Sequence, residues 1–146
     1  MVNIETKLSG DMVVGLENFE AKIKESVIFS GAAAMAKVLY DEARANAPMT
    51  DKEHYFYGRN KKKYLFQPGT LKASIYRVYS KEKSSAEEKT YRISWNHQKA
   101  PYGFMVEFGT SRAAAHPFMR KAFDRIQDAI SVGKERMAER LAGGVE

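Results

Sequence analysis

The sequence predicts an α+β fold: two long amphipathic helices packed on an antiparallel sheet of three or four strands, with a long basic-aromatic arm after the first helix. Three observations predict it. Apolar residues recur at helical spacing over 16–39 and again over 119–141. Between these stretches lie segments with strand signals, the clearest being 90–96, where bulky and polar residues alternate. These segments follow one another through short turns, which implies an antiparallel meander with one face left for the helices to cover.

The 146 residues suit one domain, 1–146, able to bury a core without staples. The apolar fraction of 44% is that of a globular chain. The absence of cysteine excludes disulfides, thiolate chemistry and cysteine zinc sites, and fits a reducing compartment. No basic segment followed by an apolar core opens the sequence, so no signal peptide is expected. The longest weakly polar run, Ser26 to Ala36, falls far short of the roughly 20 residues that span a bilayer. A soluble protein, cytoplasmic where it is made and without a membrane partner, is the expectation.

Residues 1–12 carry no strong period. From Leu16, a face is formed by Phe19, Ile23, Val27, Gly31, Met35, Val38 and Leu39, while Lys22, Lys24, Glu25, Lys37, Asp41 and Arg44 fall mostly elsewhere. Pro48 ends the helix and pushes Ala47 out of the α region. Some thirty residues make a rod of about 45 Å. The small cluster Gly31 to Ala34 has two readings: close packing against a neighbouring element, or a kink or a contact with another subunit.

Residues 48–69 read "PMTDKEHYFYGRNKKKYLFQPG". Tyr55, Phe56 and Tyr57 precede Gly58, and Tyr64 and Phe66 follow a basic tip. Five cations against two anions place half of the chain's net charge of +6 in this stretch. A β-hairpin or a partly ordered arm, at about 49–67, both explain it. Thr70 then looks like an N-cap for a short helical turn, Leu71 to Ser74. Ile75 to Lys81 is rich in tyrosine and valine, 83–89 is a polar turn, and Thr90 to Asn96 places Tyr91, Ile93 and Trp95 on one face. A third strand is expected to put Tyr102, Phe104, Val106 and Phe108 on one face and Gly103, Met105, Glu107 and Gly109 on the other. The last helix starts at Pro117, carries Met119, Ala122, Phe123, Ile126, Ile130, Gly133, Met137 and Leu141 as its stripe, and ends at Gly143-Gly144.

Chemistry is sparse. The loop 109–112 lacks the glycine patterns of nucleotide-binding loops. His54, His97 and His116 show no metal-binding spacing, and no metal or cofactor is expected. Glu107 reads as a strand residue paired with Arg92 or Arg112 across the sheet. With His97 or His116 and a lysine it could instead form a ribonuclease-like pair. Ser74 and Ser111 have no nucleophile-elbow context. No catalytic residue is predicted. The arm is the stronger signal. Its cations Arg59, Lys61, Lys62 and Lys63 suit phosphate or an acidic partner. Its aromatics Phe56, Tyr57, Tyr64 and Phe66 suit a protein interface. Assembly is favoured, since the arm holds no recognisable nucleic-acid motif.

The segments "PYGFMVEFGTS" (101–111) and "HPFMRKAF" (116–123), preceded by "PGTLKASI" (68–75), resemble the signature of the tail-completion or head–tail joining proteins of long-tailed double-stranded DNA phages and prophages. The resemblance covers roughly Leu16 to Leu141, and the arm is longer than that pattern. It implies an α+β, non-enzymatic neck component forming a hexameric ring at the head-proximal end of the tail. The implied partners are other copies of the chain, tail-terminator and head-completion proteins, and DNA passing through the lumen without sequence specificity. The implied location is the host bacterial cytoplasm during assembly and then the virion. In this reading Gly109 turns the chain sharply, Phe118 and Phe123 pin the last helix to the sheet, and the loop with Thr110, Ser111 and Arg112 contributes neighbour contacts. The alternative is a small basic nucleic-acid-binding protein or nuclease.

Overall fold

The computed structural model describes residues 10–143. The fold is α+β. In chain order the elements are α1 (Gly10–Asn46), β1 (His54–Tyr57), β2 (Lys63–Phe66), α2 (Thr70–Ser74), β3 (Ile75–Tyr79), β4 (Tyr91–Trp95), α3 (Gly103–Phe108), α4 (Met119–Phe123) and α5 (Ile126–Ala142). The expected lack of period at the chain start falls mostly outside the described residues, as do the side chain of Leu16 and the role of Gly144.

α1 is the spine. Its 37 residues make a rod of about 55 Å that stops where Pro48 removes the next backbone donor. α5 runs antiparallel along it: Arg136 Nε donates to Ser30 Oγ at 3.2 Å and Arg125 Nη1 to Glu42 Oε2 at 3.4 Å. The two helices meet at a pair of glycines. A Cβ on Gly31 would stand 2.5 Å from Met137 Cγ, and one on Gly133 would stand 2.5 Å from Met35 Cγ. The small cluster therefore serves close packing within the chain.

The sheet departs from expectation. There are two separate two-stranded antiparallel ribbons, β1–β2 and β3–β4, instead of one sheet of three or four strands. In the second ribbon Ile75, Arg77 and Tyr79 pair with Trp95, Ile93 and Tyr91. This face meets α1, where the Phe29 ring stands 5.0 Å from Tyr79 and 6.1 Å from Tyr91. The polar loop between the strands is tied to the same helix by Lys89 Nζ on Glu25 Oε1 at 2.5 Å.

Residues 103–108, expected as a third strand, form the helix α3. The burial pattern gives the reason. Tyr102, Gly103 and Glu107 are buried and Val106 half-buried, while Phe104, Met105 and Phe108 are exposed. Those are the two sides of a helix, not of a strand. Over six residues bulky positions two apart fit either period, and packing decides.

The last helix is also broken. α4 ends at Phe123 and α5 starts at Ile126, with Arg125 at φ −87°, ψ 15°, outside the helical well. The break moves Phe123 off the apolar stripe, and it is 64% exposed. α5 packs chiefly on α1, so only one of the two expected long helices covers a ribbon.

The core lies where α1 ends. Ala43, Ala47, Leu71, Ile75, Trp95, Ala100, Tyr102, Phe118 and Ala122 form it. Phe118 is fully buried, with its ring edge-on to Trp95 at 5.4 Å, so it does anchor α4. Trp95 lies flat against Gly103, where any Cβ would collide with the indole nitrogen.

Candidate assembly surface

The basic-aromatic segment is a hairpin, and it is docked. The register pairs His54 with Phe66 and Phe56 with Tyr64, which places these four side chains on one face. That face rests on Tyr102: the His54 ring lies 4.8 Å from it, Phe66 4.9 Å and Phe56 6.3 Å. Burial pushes the Tyr102 phenol up, which keeps it neutral within this cluster. Phe56 and Phe66, expected at a neighbour interface, are thus half-buried against the chain's own body. A strand's alternation makes them inward residues, and no local pattern marks Tyr102 as the residue that faces them.

The turn is tight. Gly58 N–H donates to Lys62 O and Lys61 N–H to Gly58 O, both at 3.0 Å. Lys61 takes φ 59°, a left-handed position that glycine or asparagine fills more readily. Asn60 Oδ1 receives the Lys62 N–H at 3.0 Å, and Asn60 Nδ2 donates to the Tyr64 hydroxyl at 3.0 Å. Arg59, Lys61 and Lys62 project from the tip. Lys63 is separate from them: its ammonium sits 3.7 Å from the Tyr55 ring centre on the hairpin's outer face.

That outer face carries Tyr55, Tyr57 and Leu65, all exposed. On the opposite, inner side an open cleft of about 630 Å³, lined by Phe56, Tyr64, Phe66, Phe104 and Met105, separates the hairpin from α3. Phe104 is 59% exposed at this cleft, and Phe108, 52% exposed, lies on α3 outside its lining. The Phe104 and Phe108 rings are 4.7 Å apart, and the Arg120 guanidinium lies 4.9 Å from the Phe108 ring centre. A strand period applied to 103–108 sends these phenylalanines to the core; the helical period turns them outward. Two sequence signals favour the helix: Pro101 shortly before the segment and Gly109 just after it.

Glu107 fixes how this surface is held. It is 2% exposed and faces the start of α4, not a cross-strand Arg92 or Arg112. Its Oε2 accepts the N–H of Phe118 at 2.7 Å and of Met119 at 3.0 Å, while Oε1 accepts the N–H of Arg120 at 3.0 Å and its Nε at 3.1 Å. Burial would raise this carboxyl's pKa. The N–H groups of Met119, Arg120 and Phe118, with the Arg120 side chain, outweigh burial and hold it below the usual range. A carboxylate supplied from α3 therefore caps α4, doing what a local N-cap residue does elsewhere.

Gly109 ends α3 at φ 76°, ψ 176°, a conformation open to glycine alone, and a Cβ there would meet Ala115 N at 2.8 Å. Its expected sharp turn is present. Thr110, Ser111 and Arg112 lie exposed in the following loop, where Thr110 Oγ1 receives the Ala113 N–H at 3.1 Å. No hydrogen bond links Glu107 to His97 or His116 among the described residues. Among those residues, no group of three or more histidines and carboxylates is placed to hold a metal, and no helix is long and apolar enough to cross a membrane.

The chain matches no protein-family model, no curated protein and no solved structure.

Proposed function

We propose that this chain is a structural neck protein of a long-tailed phage or prophage. It completes the head-proximal end of the tail and joins it to the head as a hexameric ring around the DNA channel. The ordered motifs at 68–75, 101–111 and 116–123 suggest the family. The observation that carries the assembly reading is the uncovered apolar surface: Tyr55, Tyr57 and Leu65 on the hairpin and Phe104, Met105 and Phe108 on α3. Two exposed apolar patches of this kind, one on the hairpin's outer face and one on α3, suit interfaces with neighbouring subunits.

The hairpin and α3 form one flank in this proposal. The loop with Thr110, Ser111 and Arg112 stands beside them, and tail-terminator and head-completion proteins meet the ring's two ends.

The alternative reading, a small nuclease built on Glu107, is weaker. Both oxygens of that carboxylate are taken by backbone N–H groups and Arg120, which leaves no lone pair aimed at a substrate proton. The decisive experiment deletes the coding sequence from the encoding phage or prophage and inspects particles. Separate full heads and unjoined tails are expected. Intact particles at parental yield would sink the proposal.

A further inference from the structure

We propose that the groove between α1, α5 and the β3–β4 ribbon binds the phosphate backbone of a nucleic-acid strand. This inference stands apart from the neck reading, since it rests on charge and donors alone and its test needs no particles.

The groove has a volume of about 580 Å³ and follows one side of α1 from Ser26 to Lys37, about 16 Å of helix. Arg136 and Arg140 of α5 form one wall, and Arg77 of β3 stands on the other. Among the described residues, no aspartate or glutamate lines it. Among the described residues the carboxylate partners of Lys37 and Arg136 are Asp41 and Glu139, exposed helix-surface pairs of the kind that contribute little. Arg77 and Arg140 have no carboxylate within 4.0 Å among the described residues.

Neutral groups of α1 position the arginines: the Arg77 guanidinium lies 5.3 Å from the Tyr40 ring centre, and two serines meet the α5 pair. Arg136 Nε donates to Ser30 Oγ at 3.2 Å, and Arg140 Nη2 to Ser26 Oγ at 3.4 Å. Arg140 Nε is buried with no hydrogen-bond partner. Gathering like charges along one open groove is unfavourable until an anion arrives. Guanidinium forks match phosphate oxygens, and their spread over about 16 Å suits a chain of phosphates better than a single ion. Phe29, 40% exposed, and Tyr91 add ring surface at the ribbon side, which suits stacking of bases. These cations belong to other elements than the hairpin tip, so the two basic features are separable by mutation.

The test is fluorescence anisotropy with a labelled 20-mer, single-stranded and duplex, titrated across a salt series with the full chain. Three variants are compared: Arg77→Gln/Arg140→Gln, Arg77→Lys/Arg140→Lys, and a tip variant with Arg59, Lys61 and Lys62 changed to glutamine. The glutamine pair is expected to bind about tenfold more weakly or worse, its salt slope on duplex falling by about 0.9 for each phosphate no longer neutralised. The lysine pair should retain the slope, and it carries the test if the glutamine pair unfolds at a lower midpoint. The tip variant should bind at least as well as the groove lysine pair. Parental affinity and slope in the glutamine pair overturn the proposal. So does displacement of DNA by polyglutamate at matched ionic strength as readily as by unlabelled DNA, which would assign the groove to an acidic protein.

Discussion

Glu107 and Phe118 stand eleven positions apart in sequence, yet the Glu107 carboxylate accepts the Phe118 N–H at 2.7 Å. Through this contact α3, the loop after Gly109 and the start of α4 become one rigid corner. The corner sets where Phe104 and Phe108 point.

Glu107→Gln should lower stability at neutral pH by about 1.5–3 kcal/mol, the range for hydrogen bonds to a charged group. The amide also brings a donor to a place that needs acceptors. The carboxyl's folded-state pKa is depressed, so its contribution is present above its unfolded value, about 4.3, and is lost as pH falls through the folded value. Urea unfolding of parent and variant should therefore differ most near pH 7 and converge toward pH 3. A constant gap across that range would refute the cap.

Giving a glycine a side chain should act in opposite directions at two points of α1. At Gly15 a Cβ meets nothing within 4 Å, so Gly15→Ala should stabilise by up to about 1 kcal/mol through helix propensity. At Gly31 a side chain meets Met137 Cγ at 2.5 Å and the Gly133 carbonyl at 3.2 Å, so Gly31→Val should cost about 1–3 kcal/mol. Thermal midpoints moving the same way in both variants would mean that α5 does not lie on α1 as described.

Three phenylalanines separate folding from assembly. Phe118→Ala should cost about 3–5 kcal/mol, because that ring is wholly buried. Phe104→Ser and Phe108→Ser should shift the unfolding midpoint little and instead reduce head–tail joining, and any oligomer seen by light scattering. A large stability loss in either serine variant would place these rings in the core and remove the interface argument.

Lys61→Gly should firm the hairpin. Relief of the left-handed conformation is worth about 1–2 kcal/mol, partly offset by glycine's greater freedom when unfolded. Slower amide exchange across 54–66 is the expected outcome. Since the hairpin rests on Tyr102, exchange there should already be slow in the isolated chain, and free exchange would contradict the aromatic packing.

How much of the fold is legible in the sequence follows from the range of the interactions. The end of α1 at Pro48, the strands around Val78 and Ile93, and the hairpin about Gly58 rest on local chemistry and can be read directly. The helical state of 103–108 is marked only by its flanks, Pro101 and Gly109, because its inward face is defined by Trp95 and by the start of α4 only after folding. The break at Arg125 cannot be read directly: its guanidinium reaches both Asp128 at 2.5 Å and Glu42 at 3.4 Å. Of the candidate surface, Tyr57, Tyr64 and the tip cations occupy exposed positions, and Phe56 and Phe66 face inward. The α3 phenylalanines escape a sequence reading as surface residues, because a strand period hides them.

The antiparallel pairing of the first and last helices has a consequence for synthesis. Contacts such as Ser30 with Arg136 span 106 positions, so the part of α1 around Gly31 finds its cover only when α5 is made. At about 5–20 residues per second, α1 waits about 5–20 s on the ribosome with that part wet. The small residues at its centre then become an advantage of a different kind. Glycine and alanine offer little for wrong partners to grip during the wait, while allowing the late helix to dock closely when it arrives.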